Sequence, residues 1–536
     1  MKTMNLLFIL SFLTNLLLVG CDKSEVHNNP NDNDSLEEFS VIPLPQFISY
    51  GNNMLELDNN INISCSEDLR SEAEFLKDAL NLDLKISSNI QINSDDYDVK
   101  LNLDPSMVVK GKGGYKIEIS DKNILLTAPE NLGIFYGIQT IRQAVIIKND
   151  KFLIRQATVS DYPTHEWRSV MLDEARFFQG KEAVKKLLYE MARLKYNIFH
   201  WHLTDDQGWR IEIKKYPNLI EVGSKRPKTG VDYYWNSNEF YNTPHEGHYT
   251  QDDIKEIIEY AKQLNITIIP EIELLTHCSA AVASYSYLGT TGAKIDVECR
   301  MGTFDEVMNI ANPNTMTFIH DVIDEIATLF PGKFIHLGGD EIQGNHWTNS
   351  SEIQQMKQNL GITEDYELQI YFFNEISKYL ANKNKKLMAW GDCIGRPGKT
   401  SKIPVNLASG TIIQYWKGTI NDLNYLLNHG LQVVQSHTDG FYFNAWLPDA
   451  YNKKCIPDEV DTSQRSQILG LGAECWTEFD TTVEETFDHI FPRIAAYAET
   501  GWSKPESKDY KSFVRRLGTY YDLWLANDIY VGGTEE

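Results

Sequence analysis

From about residue 163 the chain alternates between short apolar runs and longer amphipathic ones. The apolar runs are SVMLDEA, NIFHWHL, ITIIPEIEL, FIHLGGD, KLMAWGD, TIIQYW, LQVVQSH and ILGLGAECW. Their length and near-continuous hydrophobicity suit strands buried on both faces. Between them, stretches such as KEAVKKLLYEMARLK, DDIKEIIEYAKQLN and IHDVIDEIATLF repeat apolar residues at helical spacing. Strands alternating with helices in this way predict parallel βα units, and eight of them predict an α/β chain folded as a (β/α)8 TIM barrel over 163–505. Upstream, 40–162 carries shorter alternating strands, YKIEIS and NILLTA, and the helical stretches SEAEFLKDALNL and IFYGIQTIRQAV. That mixture predicts a small α+β domain preceding the barrel. Residues 506–536 read as a C-terminal helical segment closing the barrel.

The first twenty residues break the pattern: Lys2 is followed by an apolar run ending Leu18-Val19-Gly20-Cys21. This reads as an export signal over 1–20 that ends in a bacterial lipobox, with Cys21 as the lipidated first residue of the mature chain. The expected partner there is a membrane reached through a lipid anchor, on the periplasmic or cell-surface side. Residues 21–39 have almost no apolar side chains and read as a flexible tether. The other six cysteines are widely spaced with no CxxC, so neither a zinc site nor a disulfide framework is signalled. With 75 acidic against 50 basic residues the chain carries about −25, which excludes a nucleic-acid surface.

A barrel gathers its chemistry at the C-terminal strand ends. There the sequence places Asp173 and Arg176, then His200, His202, Asp205 and Asp206, then Glu271, Glu273 and His277. Asp340 and Glu341 follow the fourth run, Trp390 and Asp392 the fifth, Gln414 and Trp416 the sixth, His437 and Asp439 the seventh, and Glu474, Trp476 and Glu478 the eighth. Carboxylates, imidazoles and indoles in such numbers point to a pocket, and the indoles suit the C–H faces of a sugar. His200 and His202 share a strand face, as in barrel zinc hydrolases, but the fifth and sixth strand ends supply no further histidine. No metal or cofactor is expected.

The runs HLGGDE (336–341), HWHLTDDQGWR (200–210), PEIELLTH (270–277), LDEARFF (172–178) and CWTE (475–478), with GIFYGIQTIRQAV (133–145) ahead of them, resemble the β-N-acetylhexosaminidases of glycoside hydrolase family 20. The resemblance implies an exo-acting, retaining enzyme that removes terminal β-linked N-acetylglucosamine or N-acetylgalactosamine from glycans, the substrate's own acetamido group being the nucleophile. It implies Glu341 as general acid and base, Asp340 as the acceptor of the acetamido N–H, and Tyr442 as the group holding the acetamido oxygen. It further implies Asp205 and His277 as a pair behind the acid, Arg176 and Glu478 on the sugar hydroxyls, and Trp390, Trp416 and Trp476 as walls. Two adjacent carboxylates cannot both comfortably ionise, so one is expected to hold a proton. The alternative is a carbohydrate-binding lipoprotein on the same barrel, which would not need a proton donor beside an acetamido anchor.

Two positions depart from the family pattern. PEIELLTH carries Glu273 and Leu275-Thr276 where members commonly have Asp and Pro-Gly, which puts the placement of His277 in question. Asn444 stands where an Asp commonly meets the sugar's O4 and O6. An amide there removes a repulsion of roughly 1 to 4 kcal/mol against a 6-sulfate, so tolerance of 6-sulfated N-acetylglucosamine is a further expectation. The insertion Gly230 to Thr250 is expected to shape the leaving-group side.

Overall fold

All eight apolar runs form parallel strands that close on themselves: β1 (Trp167–Asp173), β2 (Ile198–His202), β3 (Thr267–Glu271), β4 (Phe334–His336), β5 (Lys386–Trp390), β6 (Ile412–Tyr415), β7 (Gln432–Gln435) and β8 (Ile468–Cys475). The computed structural model describes residues 38–529 and 531, apart from 344 and 396. The expected leader 1–20, Cys21 and the tether as far as 37 therefore lie outside the described residues. The strands pair in chain order, and β8 returns to β1 with Gly470 opposite Trp167 and Cys475 opposite Leu172. Closure is thus made by strand pairing. The terminal helix Tyr510–Ala526, expected to close the barrel, packs outside it, where Trp524 donates its indole N–H to Glu190 (2.9 Å).

Side chains alternate along a strand, so every second residue enters the lumen. At the lower end Trp167, Ile198, Ile269, Met388, Ile412 and Val434 form one apolar cluster. Two residues further along the same strands come Ser169, His200, Glu271, Trp390, Gln414 and Ser436, all buried. The lumen thus changes from hydrocarbon to polar groups within a single side-chain repeat. Outside it, helices lay apolar stripes on the strands. Lys181–Arg193 buries Ala183, Val184, Leu187, Leu188 and Met191, and Gln251–Gln263 starts at a reciprocal Thr250/Asp253 cap.

The N-terminal residues fold as an eight-stranded mixed sheet, seven strands in a continuous path from Phe47–Leu57 to Ser87–Ile92 and a short eighth on Lys151–Asp161, with helices Arg70–Leu84 and Asn131–Ala144. Buried polar pairs clamp this sheet to the barrel. Asp161 accepts from Trp502 Nε1 (2.9 Å) and pairs with Lys195 Nζ (3.0 Å), and Asp83 pairs with Arg193 (2.8 Å). Charges this deep need their partners, so the contact is specific in geometry. The six cysteines among the described residues are free thiols. No helix of the described residues is long and apolar enough to cross a membrane.

Candidate active site

The upper lumen converges on Glu271. One of its oxygens lies 2.6 Å from His202 Nδ1 and 2.8 Å from His200 Nε2, and the other accepts from Trp390 Nε1 (2.7 Å) and lies 2.8 Å from His336 Nδ1. Burial would strip the proton from His202, but Glu271 and Asp205 outweigh it and hold the imidazole well above its ordinary pKa. The reverse holds for Glu271: burial pushes it up, and the histidines His336, His202 and His200 bring it well below the carboxylate range.

From this hub the hydrogen bonds run outward. His202 Nε2 reaches Asp205 (3.1 Å), and Asp205 pairs with Arg176 Nη2 (2.9 Å). Arg176 is also fixed by Asp173 (3.0 Å), whose other oxygen accepts the backbone N–H groups of Ala175 and Arg176 and so sets the turn after β1. Gln207 accepts from Arg176 Nε (2.9 Å). The Arg176 fork is thereby immobilised before any ligand arrives.

Strand β4 is three residues long, and the chain then turns sharply. Gly338 and Gly339 have φ of 60° and 98°, and Glu341 itself sits at 54°. A Cβ on Gly338 would fall 1.9 Å from a carboxylate oxygen of Glu273, so only glycine fits there. A positive φ at a glutamate is strain of the kind that functional loops hold in place. The turn brings both carboxylates against one imidazole: His277 Nε2 lies 3.7 Å from Asp340 and 3.6 Å from Glu341. The altered PEIELLTH loop therefore still delivers His277 to the pair. The other ring nitrogen of His277 is bound by Asp206 (3.0 Å), with Asp205 at 3.4 Å, so the supporting role expected of Asp205 alone is shared.

The two carboxylates differ. Burial, with the charges of Glu341 and Glu271 added, outweighs His277 and raises Asp340 to about 7, and its Oδ1 has no hydrogen-bond partner among the described residues. Burial also acts on Glu341, but the nearby His277 imidazole, with Lys417 and Arg176, brings it below its ordinary value. Before substrate arrives, the proton of the pair favours Asp340.

Asp340, Glu341 and His277 line a cavity of about 360 Å³ whose walls include Arg176, Tyr442 and Glu478. This is the low end of small-molecule clefts, room for about one sugar. Indoles enclose it: Trp390 lies 6.0 Å from Trp476 and 6.3 Å from Trp416, ring centre to ring centre. Trp416 is pinned by Asp392 (2.8 Å). Burial and the charge on Glu474 keep the Tyr442 phenol protonated, hence a donor. Asn444 is not in this cavity; it lines an adjoining recess with Glu478, Phe479 and Asp480. The sequence placed Asp206 only among the strand-end polar residues and Tyr233 and Trp235 only within the insertion expected on the leaving-group side, and it gave Thr303 on the cavity wall no role. The doubled Asp in HWHLTDDQGWR and the aromatic triplet in the insertion were the available signals.

Among the described residues, four groups bring three potential metal donors within 4.8 Å of one another: His200/Glu271/His336, His202/Glu271/Glu273, Asp205/Asp206/His277 and His277/Asp340/Glu341. In the second and third a histidine is hydrogen-bonded to a carboxylate, so shared protons account for those contacts.

Residues 165–505 match the model of the glycosyl hydrolase family 20 catalytic domain, and 38–162 match that of domain 2 of the same family. A β-hexosaminidase of Porphyromonas gingivalis is 31% identical over 507 residues, covering 89% of this chain; the chain spans only 62% of that relative's length. A β-N-acetylhexosaminidase of Cellulomonas fimi is 26% identical, with 77% of this chain and 79% of that one covered. Among solved structures, the exo-β-N-acetylglucosaminidase of Vibrio harveyi in complex with N-acetylglucosamine superposes with a TM-score of 0.80 at 26% identity, covering 94% of this chain and 80% of that one. The β-N-acetylhexosaminidase of Bacteroides fragilis gives 0.77 at 26% identity, with 92% and 96% covered. The chain belongs to glycosyl hydrolase family 20.

Proposed function

We propose that the protein is an exo-acting, retaining β-N-acetylhexosaminidase that uses the substrate's acetamido group as nucleophile. The observation that carries this reading is Asp340, a buried carboxylate on the cavity wall whose Oδ1 has no partner among the described residues. A buried acceptor left unpaired is costly, and an amide N–H supplies what it lacks. Asp340 and Glu341 are consecutive residues of one loop with oxygens within 4.8 Å, so they approach a substrate from the same side. Retaining enzymes with a protein nucleophile instead set two carboxylates on either side of the bond, about 5–5.5 Å apart.

In the proposed sequence the sugar lies among Trp390, Trp416 and Trp476, with Arg176 and Glu478 on its hydroxyls. Tyr442 donates to the acetamido oxygen and Asp340 accepts from its N–H. The acetamido oxygen then attacks C1, the bond from C1 to the leaving oxygen breaks, and Glu341 protonates that oxygen. Asp340 must be charged to steady the oxazolinium, although burial favours its protonation in the empty cavity. The incoming N–H and developing cation reverse that preference and move the single proton of the pair to Glu341. Glu341 next deprotonates a water that attacks C1 on the face the leaving group vacated, the C1–O bond to the acetamido oxygen breaks to restore the acetamide, and configuration is retained.

The test is a product screen on glycans with terminal β-linked N-acetylhexosamine, followed by NMR of the first-formed anomer. Release of single N-acetylhexosamine units as the β-anomer is expected; the α-anomer would sink retention, and no release would sink the activity. A fully active Asp340→Asn variant would contradict the role of the acetamido group. Tolerance of a 6-sulfate is the finer proposal, resting on the uncharged Asn444. A preference for sulfate is not proposed, because Glu478 and Asp480 share the Asn444 recess and its histidine, His489, is paired to Asp480 (2.9 Å). Anchoring at Cys21 is likewise proposed, and fatty-acid labelling that survives Cys21→Ala would refute it.

A further inference from the structure

The insertion after β2 does more than fill space. Its residues Tyr233, Tyr234 and Trp235 are braced against the segment 299–304: Gly230 N–H donates to the Cys299 carbonyl (2.7 Å) and Tyr234 N–H to that of Met301 (3.0 Å). Gly302, at φ 134°, lets the two approach, since a Cβ there would fall 2.6 Å from the Tyr234 ring and 2.8 Å from that of Trp235. Gln207 bonds the Arg300 carbonyl (2.8 Å) with its amide N–H and Arg176 with its oxygen (2.9 Å), so the brace is tied to the guanidinium of the cavity.

On this brace Trp235 lies parallel to Tyr233, centres 4.7 Å apart and planes 3° from parallel, and Tyr233 meets Phe479 edge-on at 5.1 Å. One indole face is covered by Tyr233 and Tyr234 meets the ring edge-on at 5.0 Å, yet Trp235 remains 57% exposed to solvent. A rigid tryptophan held open to water at the mouth of a cleft marks a binding surface. Tyr233 and Trp235 line the same cavity as Glu341, whereas Trp390 and Trp476 form its other walls.

We infer that the Tyr233–Trp235 ledge binds the leaving-group sugar, a pyranose whose C–H face stacks on the exposed indole of Trp235. This rests on the hexosaminidase reading, in which whatever departs from Glu341 lies beyond the acetamido pocket. A pyranose suits this ledge because its C–H face stacks on an indole while its hydroxyls need polar partners, and Thr303 supplies a hydroxyl on the same cavity wall. The protein is then selective for glycan chains over glycosides with small leaving groups.

The full chain is assayed on a β1,4-linked N-acetylglucosamine disaccharide, on methyl β-N-acetylglucosaminide and on an aryl β-N-acetylglucosaminide. The readout is kcat/KM for the disaccharide divided by that for the methyl glycoside. Trp235→Ala is expected to lower this ratio about tenfold, the scale of losing one aromatic anchor, with Trp235→Phe restoring most of it. An unchanged ratio overturns the ledge as a sugar site, as does a loss confined to the aryl glycoside, which would assign it to an aromatic leaving group. A wild-type protein that cleaves none of the three refutes the hexosaminidase reading itself, an outcome separate from a wild type that cleaves them with a ratio Trp235 does not affect.

Discussion

The two layers of the barrel lumen are built from the same strands, two residues apart, and do opposite work. The lower layer, with Ile198, Ile269 and Met388, is hydrocarbon packed on hydrocarbon, and its burial stabilises the barrel. The upper layer, with His200, Glu271 and Trp390, gathers charges that burial opposes and that persist only through one another. Buried ion pairs of this kind are poor sources of stability. What the upper layer supplies is position: Trp390 is oriented through Glu271, and Arg176 through Asp205 and His202. One strand pattern thus yields a foundation at one end and an aligned site at the other.

The largest effect is expected just above both layers. Glu341→Gln removes the proposed proton donor and should lower kcat by about 10²–10⁴-fold, with circular dichroism and melting temperature close to wild type. If melting falls with activity, the pair is part of the foundation after all, and the division between layers fails.

A direct comparison comes from two positions on β3. Ile269→Ala should cost about 2–5 kcal/mol of stability, read by denaturant unfolding, while the folded fraction keeps its kcat. Glu271→Gln removes the charge holding the proton on His202 and weakens the anchor of Trp390. It should lower kcat up to about 10²-fold through misplacement in protein that is still folded. Equal losses of kcat in the folded fractions of both variants would show that the lumen acts as one unit.

Much of this arrangement was legible because alternation decides which strand residue faces the lumen. Once NIFHWHL is a strand, His200 and His202 point the same way, and Trp201 must face the helices, where it is fully buried. What lay beyond reading depends on contacts distant in sequence. Asp205 and Asp206 are neighbours, and only the turn that carries His277, itself at φ 45°, decides that Asp206 lies nearer. Trp235 is exposed because a loop some 65 residues away braces its backbone. The proton's preference for Asp340 over Glu341 reflects deeper burial of the first and the positive charges near the second, which identical chemistry at adjacent positions does not reveal.

That preference links stability to pH. Asp340 titrates near 7 when folded against an ordinary 3.8, so between these values the folded protein keeps a proton the unfolded chain has released. The resulting stabilisation is complete below about pH 4 and is lost as pH rises through about 7. Asp340→Asn cannot ionise and should flatten this part of the curve, leaving it more stable than wild type near pH 8 by about 1–3 kcal/mol. Glu474, also raised to about 7 by burial, keeps a residual slope in both proteins. Identical slopes in thermal melts from pH 4 to 8 would place the proton elsewhere.

The smallest effect belongs to the rim, farthest from either layer. Asn444 is exposed, so a carboxylate there would be well screened, and its repulsion of a 6-sulfate falls at the lower end of about 1 to 4 kcal/mol. Asn444→Asp should therefore lower kcat/KM for a 6-sulfated aryl N-acetylglucosaminide about fivefold at low salt, less at high salt, and change the unsulfated substrate within about twofold. The salt dependence separates charge from shape, because a steric effect of the substitution would not be screened. If wild type already rejects the sulfated sugar and Asn444→Asp alters nothing, the carboxylates Glu478 and Asp480 set the recess's charge preference, and the amide at 444 is no more than a neutral hydrogen-bonding group.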